Sequence, residues 1–318
     1  MRPIVVVGDI LLDRDVSGTA DRLCPDAPVP VLTEIVTTAR PGGAGLAATF
    51  LALDGVETRL VGGAGSDDAG QLVRDLLVRT GVALMEVAYD GPTPEKIRLR
   101  AGRHPLLRVD RGTRPAQLGG LPPAIGAALA NASAVLVSDY GRGMTSLPAM
   151  RRLLATTATR VPVVWDPHPK GATPVPGTRL VCPNRTEAAG FAAALGAGLD
   201  AGRSSDFATE PALAVAAEAR LLRGTWRAGA VAVTMGDRGA VLADGDRAPT
   251  AVAAPAAGAG DSCGAGDRFA AAAALGLARG WPVVDAVGYA VEVASRYVAA
   301  DGPACLSFES ESTLEATS

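Results

Sequence analysis

Ile4-Val5-Val6-Val7-Gly8-Asp9 is a short, unbroken run of β-branched residues that ends on a glycine and a carboxylate. Such a run reads as a strand buried on both faces, as in a parallel sheet covered by helices. The pattern recurs along the chain. Residues 134–137 lead into Ser138-Asp139-Tyr140-Gly141-Arg142-Gly143, and residues 161–165 lead into Asp166 and then Lys170. Residues 179–182 lead into Pro183-Asn184 and then Glu187, and residues 230–234 into Gly236-Asp237-Arg238-Gly239. Helical stretches lie between them. Residues 43–53 are small and apolar, and residues 69–80 are amphipathic and stop at Gly81. Residues 209–222 begin at a capping Thr with Pro211 in the first turn and stop at Gly224. Residues 265–279 are Ala-rich nearly all round, which predicts a buried helix. The alternation predicts an α/β domain with a mainly parallel, doubly wound sheet.

Two regions leave that rhythm. Residues 15–36 carry Pro25, Pro28 and Pro30, and residues 87–110 alternate through Ile97, Leu99, Leu107 and Val109. Both predict strands of a small sheet outside the main layers. Residues 240–243 and 250–253, joined through Asp244-Gly245-Asp246, read as a hairpin. The expected organisation is one domain over residues 1–306, with the small sheet inserted from about 14–38 and 87–111. Residues 307–318 hold three Glu and no basic residue and are expected to fray.

Composition narrows the function. A chain of 318 residues can bury a substantial core without a disulfide or metal staple. The net charge of −3 lacks the basic footprint of a nucleic-acid binder. With 38 glycines and 23 prolines the chain stays below the ~25–30% share of low-complexity disorder. Cys24, Cys182, Cys263 and Cys305 are scattered, and only His104 and His168 could add imidazole, so a structural zinc site is not expected. The apolar run at residues 4–7 is too short for a signal-peptide core or a membrane span. These features point to a reduced, cytoplasmic protein without a membrane partner.

The strand ends carry the chemistry. In open α/β sheets ligands sit beyond the carboxyl ends of the strands. One Asp there can be a helix cap or a turn former, whereas five strands delivering polar groups to one edge imply a shared site. The sharpest segment is Gly258-Ala259-Gly260-Asp261-Ser262-Cys263-Gly264-Ala265-Gly266-Asp267, just ahead of the Ala-rich helix. Backbone N–H groups at Gly264, Ala265 and Gly266 would be open donors at a helix N-terminus, an anion hole. Asp267 beside it is placed to take a proton from a hydroxyl while the hole stabilises a transferring phosphoryl group. Complementing the helix dipole is its other reading. No Walker loop, no G-x-G-x-x-G after the first strand and no G-x-S-x-G elbow occurs. Neither histidine stands where a catalytic base would; a structural or exposed role is expected for both.

On these residues the chain resembles the ribokinase-like (PfkB) carbohydrate kinases. Residues 261–267 are similar to the family's C-terminal signature, Gly42-Gly43 to its N-terminal glycine motif, and Asn184-Arg185-Thr186-Glu187 to its N-x-x-E motif. Within the family it resembles the heptose 7-phosphate kinases of ADP-heptose biosynthesis. The resemblance rests on residues 8–14, on Arg22-Leu23-Cys24-Pro25-Asp26-Ala27-Pro28-Val29-Pro30-Val31, on Lys96-Ile97-Arg98 with Arg108-Val109-Asp110, and on residues 138–143. It implies a three-layer α/β/α domain with a small β-sheet lid, often paired between two subunits as a homodimer. The implied reaction is ATP-dependent phosphorylation of the anomeric hydroxyl of D-glycero-D-manno-heptose 7-phosphate, giving the 1,7-bisphosphate. Asp267 would be the base, and Gly264, Ala265 and Gly266 the anion hole. Asn184 and Glu187 would organise Mg²⁺ through water. Asp9, Asp13, Gly42, Gly43 and Asp139 would bind sugar hydroxyls. Thr234, Gly236, Gly239 and Asp261 would hold ATP. Lys96, Arg98 and Arg108 would clamp the substrate phosphate, with Arg14, Arg103 and Arg142 in reserve, unless they pair on the surface with Asp110 or Glu95.

Two positions depart from the family. Leu46 stands where a sugar-contacting Asn is usual, and Arg142 stands where a Lys is usual, which keeps the charge but alters its geometry. Three functions therefore stay open: the heptose 7-phosphate kinase, a kinase of the same fold for another sugar or sugar phosphate such as ribose or a fructose phosphate, and a non-catalytic sugar-binding homologue. The complete Asp267 signature favours catalysis, since a binding protein needs neither the base nor the hole.

Overall fold

Ile4, Val5, Val6 and Val7 have no exposed surface, and they alternate between two separate cores. That alternation is the period-two pleat of a strand with helices on both faces. The computed structural model describes residues 1–102, 104–114, 116–196, 210–255, 260–306 and 308–309. In chain order the strands are β1 (Ile4–Gly8), β2 (Ile10–Cys24), β3 (Ala27–Gly43), β4 (Thr58–Gly62), β5 (Ala83–Glu86), β6 (Tyr89–Asp90), β7 (Glu95–Ala101) and β8 (His104–Arg111). There follow β9 (Gln117–Leu118), β10 (Ala134–Ser138), β11 (Val163–Asp166), β12 (Leu180–Val181), β13 (Ala230–Thr234), β14 (Ala240–Asp244), β15 (Thr250–Val252) and β16 (Phe308–Glu309). The helices are α1 (Ala44–Leu53), α2 (Asp68–Arg79), α3 (Pro123–Ala130), α4 (Pro148–Thr157), α5 (Arg185–Ala194), α6 (Glu210–Trp226), α7 (Ala265–Ala278) and α8 (Val283–Ala299).

The main sheet has the order β15-β14-β13-β12-β11-β10-β1-β4-β5. It is parallel from β13 to β5, and β14 and β15 add the expected antiparallel hairpin at one edge. Ile4 and Val6 pack with Leu51 of α1, Leu76 of α2, Ala273 of α7 and Val287 of α8. Val5 and Val7 pack with Leu129 of α3, Leu154 of α4, Ala188 of α5 and Leu222 of α6. The architecture is thus the expected three-layer α/β/α domain. Each fully buried Val or Leu contributes roughly 1.5–3 kcal/mol of transfer free energy, so these two cores dominate stability. Among the described residues no helix is long and apolar enough to cross a membrane.

The second sheet, ordered β16-β3-β2-β7-β8, is the small lid sheet. Its hairpin is longer than the proline spacing suggests, with 15 residues in β2 and 17 in β3. Pro28 and Pro30 do not break β3, because at this end it is an exposed edge where the missing N–H groups cost no ladder bonds. The roots of the hairpin, Ile10 to Leu12 and Ala39 to Gly43, are buried in the main domain, so lid and site share two continuous strands.

Two local expectations change. Helix α6 runs through Gly224 to Trp226, whose buried ring packs edge-on against Phe191 at 5.3 Å and outweighs the cost of a helical glycine. Its expected cap, Thr209, lies outside the described residues, as do Arg103, Gly258 and Ala259. Of the tail expected to fray, Phe308–Glu309 instead pairs antiparallel with β3 at Ala39 and Thr38. The rest of that tail lies outside the described residues.

Candidate active site

β1 and β10 pair in register from Ile4↔Ala134 to Gly8↔Ser138, and Ser138 pairs with Asp166 at the end of β11. The carboxylates that follow therefore reach one edge of the sheet. Asp9 is buried and accepts hydrogen bonds from the backbone N–H groups of Tyr140 (3.0 Å), Arg142 (3.0 Å) and Met144 (3.1 Å). Asp139 accepts from Gly141 N (2.8 Å), the Thr145 hydroxyl (2.6 Å) and Ala172 N (3.1 Å). Both were expected on sugar hydroxyls. In the structure both also hold the loop that follows β10, since buried backbone donors need acceptors, and this takes three of the roughly four acceptor positions on each carboxylate. Burial pushes the Asp139 carboxyl upward.

That loop delivers Tyr140 to Asp267. Asp267 lies in the first turn of α7 and is 5% exposed. The Tyr140 hydroxyl donates to both its oxygens, at 2.9 and 2.8 Å. Burial drives the Asp267 carboxyl up to about 7, and the charge of Asp13 adds to the rise. The Tyr140 hydrogen bond and the charge of Lys96 act the other way. A carboxylate titrating near neutral pH is suited to general base work. Gly264 caps α7 at φ +82°, a left-handed conformation that side chains resist. A Cβ there would lie 2.9 Å from Leu46 Cδ2 and 3.0 Å from the Tyr297 hydroxyl. Of the three N–H groups expected to be open donors, that of Ala265 already donates to Ser262 O at 3.0 Å in the preceding turn, so the expected hole narrows to Gly264 and Gly266.

The lid covers this point. Register sets Asp13 beside Lys96 across β2 and β7, and beside Arg40 across β3. Gly42 lies against the buried Asp13 carboxylate, and a Cβ there would fall 3.0 Å from it, so the glycine leaves room for that carboxylate. Gly43, at φ +60°, has no room for a Cβ: Leu11 Cδ1 would be 2.1 Å away. Lys96 Nζ sits 4.7 Å from the centre of the Tyr140 ring, a cation–π contact, and Arg98 Nη1 lies 3.3 Å from Asp13 Oδ1. Arg108 does not join them. It is more than half exposed and pairs with Asp110 at 2.9 Å, so the expected three-residue clamp reduces to Lys96 and Arg98. Arg14 pairs with Glu95 at 2.7 Å, and Arg142 donates to Gly112 O at 3.2 Å.

On the other side of Asp267 lies a cleft of about 690 Å³. Thr234, Gly236 and Gly239 line it, together with Ala265 and Gly266 at the head of α7 and an apolar wall that includes Phe269, Val291 and Val298. This is the concave, mostly apolar setting of a small-molecule site. Asn184 bridges to Thr234 beside it. Asn184 and Glu187 form a reciprocal capping box on α5, at 2.9 Å in each direction, so the N-x-x-E motif also starts a helix. Asp261 gives its carboxylate to Arg100 of the lid (2.6 Å) and to Cys263 N (2.9 Å) instead of to this cleft.

Tyr140 and Asp166 acquire places that sequence reasoning did not assign. Both sit in strand-end stretches already singled out, so position in the motif was the available signal. Burial, followed by the charges of Asp267, Glu187 and Asp139, pushes the Asp166 carboxyl well above the usual range. Carboxylates crowded in this way suit a bound cation, which would discharge them. Among the described residues no three His, Cys, Asp or Glu side chains form a direct cage. His168 stacks on Tyr140 at 6.3 Å, and its Nδ1 accepts from Lys170 N at 3.1 Å; His104 is exposed on the lid. Leu46 is 3% exposed, in the core beneath Gly264, and presents nothing to a sugar.

This fold sets a buried carboxylate at a helix N-terminus beside a cleft, and comparison with known proteins gives the family. The model of the pfkB family carbohydrate kinases matches residues 1–307, and the chain belongs to that family. It is 50% identical over 304 residues to the bifunctional protein HldE of Streptomyces coelicolor, covering 96% of this chain and 62% of that protein. It is 35% identical over 188 residues to a D-beta-D-heptose 7-phosphate kinase of Bordetella bronchiseptica, covering 58% of this chain and 59% of that protein. The chain thus spans about three fifths of the length of these curated relatives. Its fold is similar to a ribokinase of Cryptococcus neoformans solved with ADP, at TM-score 0.70 and 19% identity, covering 93% of each chain. It is also similar to the Arabidopsis thaliana ribokinase solved with ribose and ATP, at TM-score 0.66 and 21% identity, covering 93% of this chain and 92% of that one.

Proposed function

We propose that this chain transfers the γ-phosphoryl group of ATP to the anomeric hydroxyl of a heptose 7-phosphate. The observation that carries the proposal is Asp267: buried, poised to titrate near 7, and set between the lid cations and a cleft at the head of α7. Asp267 takes the proton of the attacking hydroxyl, the sugar oxygen bonds to the γ-phosphorus, and the bond to ADP breaks. The N–H groups of Gly264 and Gly266 meet the charge that builds on the transferring oxygens, while that of Ala265 is held by Ser262 O. Mg²⁺, when bound, neutralises phosphate charge; Asn184, Glu187 and Asp166 would hold its waters. Asp13, beside Gly42, orients the sugar, and Lys96 with Arg98 receives the phosphate it already carries.

The heptose assignment rests on the names of the two relatives and on that pair of cations. A second reading, a kinase for another phosphorylated sugar, is favoured by Leu46, because the chain lacks one polar group near the sugar. Leu23, Val29, Ile35 and Leu107 are exposed on the lid strands and support pairing of two copies through this sheet.

An ADP-release assay with Mg-ATP tests the proposal across D-glycero-D-manno-heptose 7-phosphate in both anomers, fructose 6-phosphate, fructose 1-phosphate and ribose. Turnover concentrated on a heptose 7-phosphate is expected. Turnover on another sugar would keep the Asp267 chemistry and discard the substrate. Silence on all of them, with binding intact, would favour a non-catalytic homologue.

A further inference from the structure

Four segments that build the site meet in one chain of charges. Arg40 directly precedes Pro41-Gly42-Gly43 and donates through Nη1 to Asp15 Oδ2. Asp15 stands two residues beyond Asp13 on β2, and its Oδ1 lies 3.5 Å from Arg100 Nε. Arg100 stands two residues beyond Arg98 on β7, and its Nη2 donates to Asp261 Oδ2 at 2.6 Å. Asp261 Oδ1 in turn accepts the Cys263 N–H at 2.9 Å, which shapes the turn into Gly264 and the head of α7. The Tyr297 hydroxyl holds the same turn from below by donating to Cys263 O at 2.8 Å.

We infer that Arg100 is a positioning residue that couples the seating of the lid to the geometry of the anion hole, acting through Asp261. The inference rests on the phosphoryl-transfer reading above. Arg100 touches neither Asp267 nor the lining of the nucleotide cleft. Its guanidinium spans the junction between the lid and the turn, with one edge on Asp15 and one nitrogen on Asp261. The Arg100 side chain is 23% exposed and that of Asp261 24%. At such a margin a charged pair adds little to global stability. Its geometric effect is larger, because displacing a reacting group by about 1 Å can cost on the order of 100-fold in rate. With Arg100 in place, a lid seated on its sugar holds Asp261, Cys263 and Gly264 in one arrangement. Without it, the lid closes on sugar while the turn relaxes, and water gains access to the phosphoryl group.

The test compares the unsubstituted protein with Arg100→Met, Arg100→Lys and Asp261→Asn, measuring sugar phosphorylation and sugar-independent ATP hydrolysis side by side. For Arg100→Met the expected result is a fall in kcat of roughly 10–100-fold, with KM for ATP within about 3-fold. The ratio of ATP hydrolysed to sugar phosphorylated should rise at least about 5-fold, because a loosened lid admits water. Arg100→Lys, which keeps the charge but loses the fork, should recover part of both effects. If Arg100→Met does not fold, the near-isosteric Asp261→Asn carries the same test. A change confined to thermal stability or KM, with kcat and the coupling ratio unaltered, overturns the inference. An unsubstituted protein that phosphorylates no sugar overturns the functional reading instead, so the two failures are distinct.

Discussion

The Tyr140 hydroxyl donates to both oxygens of Asp267, at 2.9 and 2.8 Å, on the side of the strand-end loop. Burial and the Asp267 charge push the Tyr140 phenol well above its usual range, so it stays a donor across the working pH. This bond stabilises the ionised carboxylate. Tyr140→Phe should therefore move the acid limb of the kcat/KM profile upward from near pH 7, by about one unit. A limb that stays in place or moves downward would show that the hydroxyl does not tune Asp267.

The raised Asp267 carboxyl also has a stability signature. The folded state favours its protonated form, whereas the unfolded chain ionises near 3.9. The native state thus binds more protons between these values, and stability falls as pH rises from about 4 to about 7. Asp267→Asn removes that slope. Its melting temperature should exceed that of the unsubstituted protein by a margin that grows over this window and is constant above it. A margin independent of pH would contradict the assignment.

Arg98 and Arg108 face each other across β7 and β8 but should behave differently. Arg98→Met should raise KM for a phosphorylated sugar by at least about 10-fold and leave an unphosphorylated analogue nearly unchanged, as expected for a charge-assisted contact. Arg108→Met should do neither, because its partner is Asp110 on the surface. Equal effects on both sugars, or a matching loss in the Arg108 variant, would remove the phosphate clamp from Lys96 and Arg98.

Leu46 supplies a test of the family departure. Restoring the usual residue with Leu46→Asn places an amide in a site that is 3% exposed, against Gly264 and next to Tyr297. An unsatisfied buried amide costs about 1–3 kcal/mol. The variant should melt several degrees lower, with no gain in kcat/KM for any sugar. A lower sugar KM at unchanged melting temperature would mean that the helix can turn this position toward the substrate.

The two cores were legible because continuous β-branched runs have few other readings, and Asp267 was legible because its glycine-rich turn has a specific use. Roles at the strand ends were less legible. Asp9, Asp13 and Asp139 look alike in sequence, yet Asp13 stands beside Gly42 and Arg98 on the lid strands, while the other two hold the strand-end loop through its backbone donors and the Thr145 hydroxyl. That division depends on how residues 139–145 fold back over β1. The Arg100–Asp261 contact joins residues 161 positions apart and follows only from lid register, which proline-bearing segments do not disclose. The hairpin length was missed for a related reason: a proline on an exposed edge reads as a break until the edge is known.

The central claim is that Asp267 is the base of a sugar kinase. It is tested most directly by Asp267→Asn, with kcat measured on a heptose 7-phosphate and binding of that sugar and of an ATP analogue measured by calorimetry. The account predicts a fall in kcat of about 100–10,000-fold, with both affinities within about 3-fold of the unsubstituted protein. A variant that keeps kcat within about 10-fold would contradict it and take proton transfer away from Asp267.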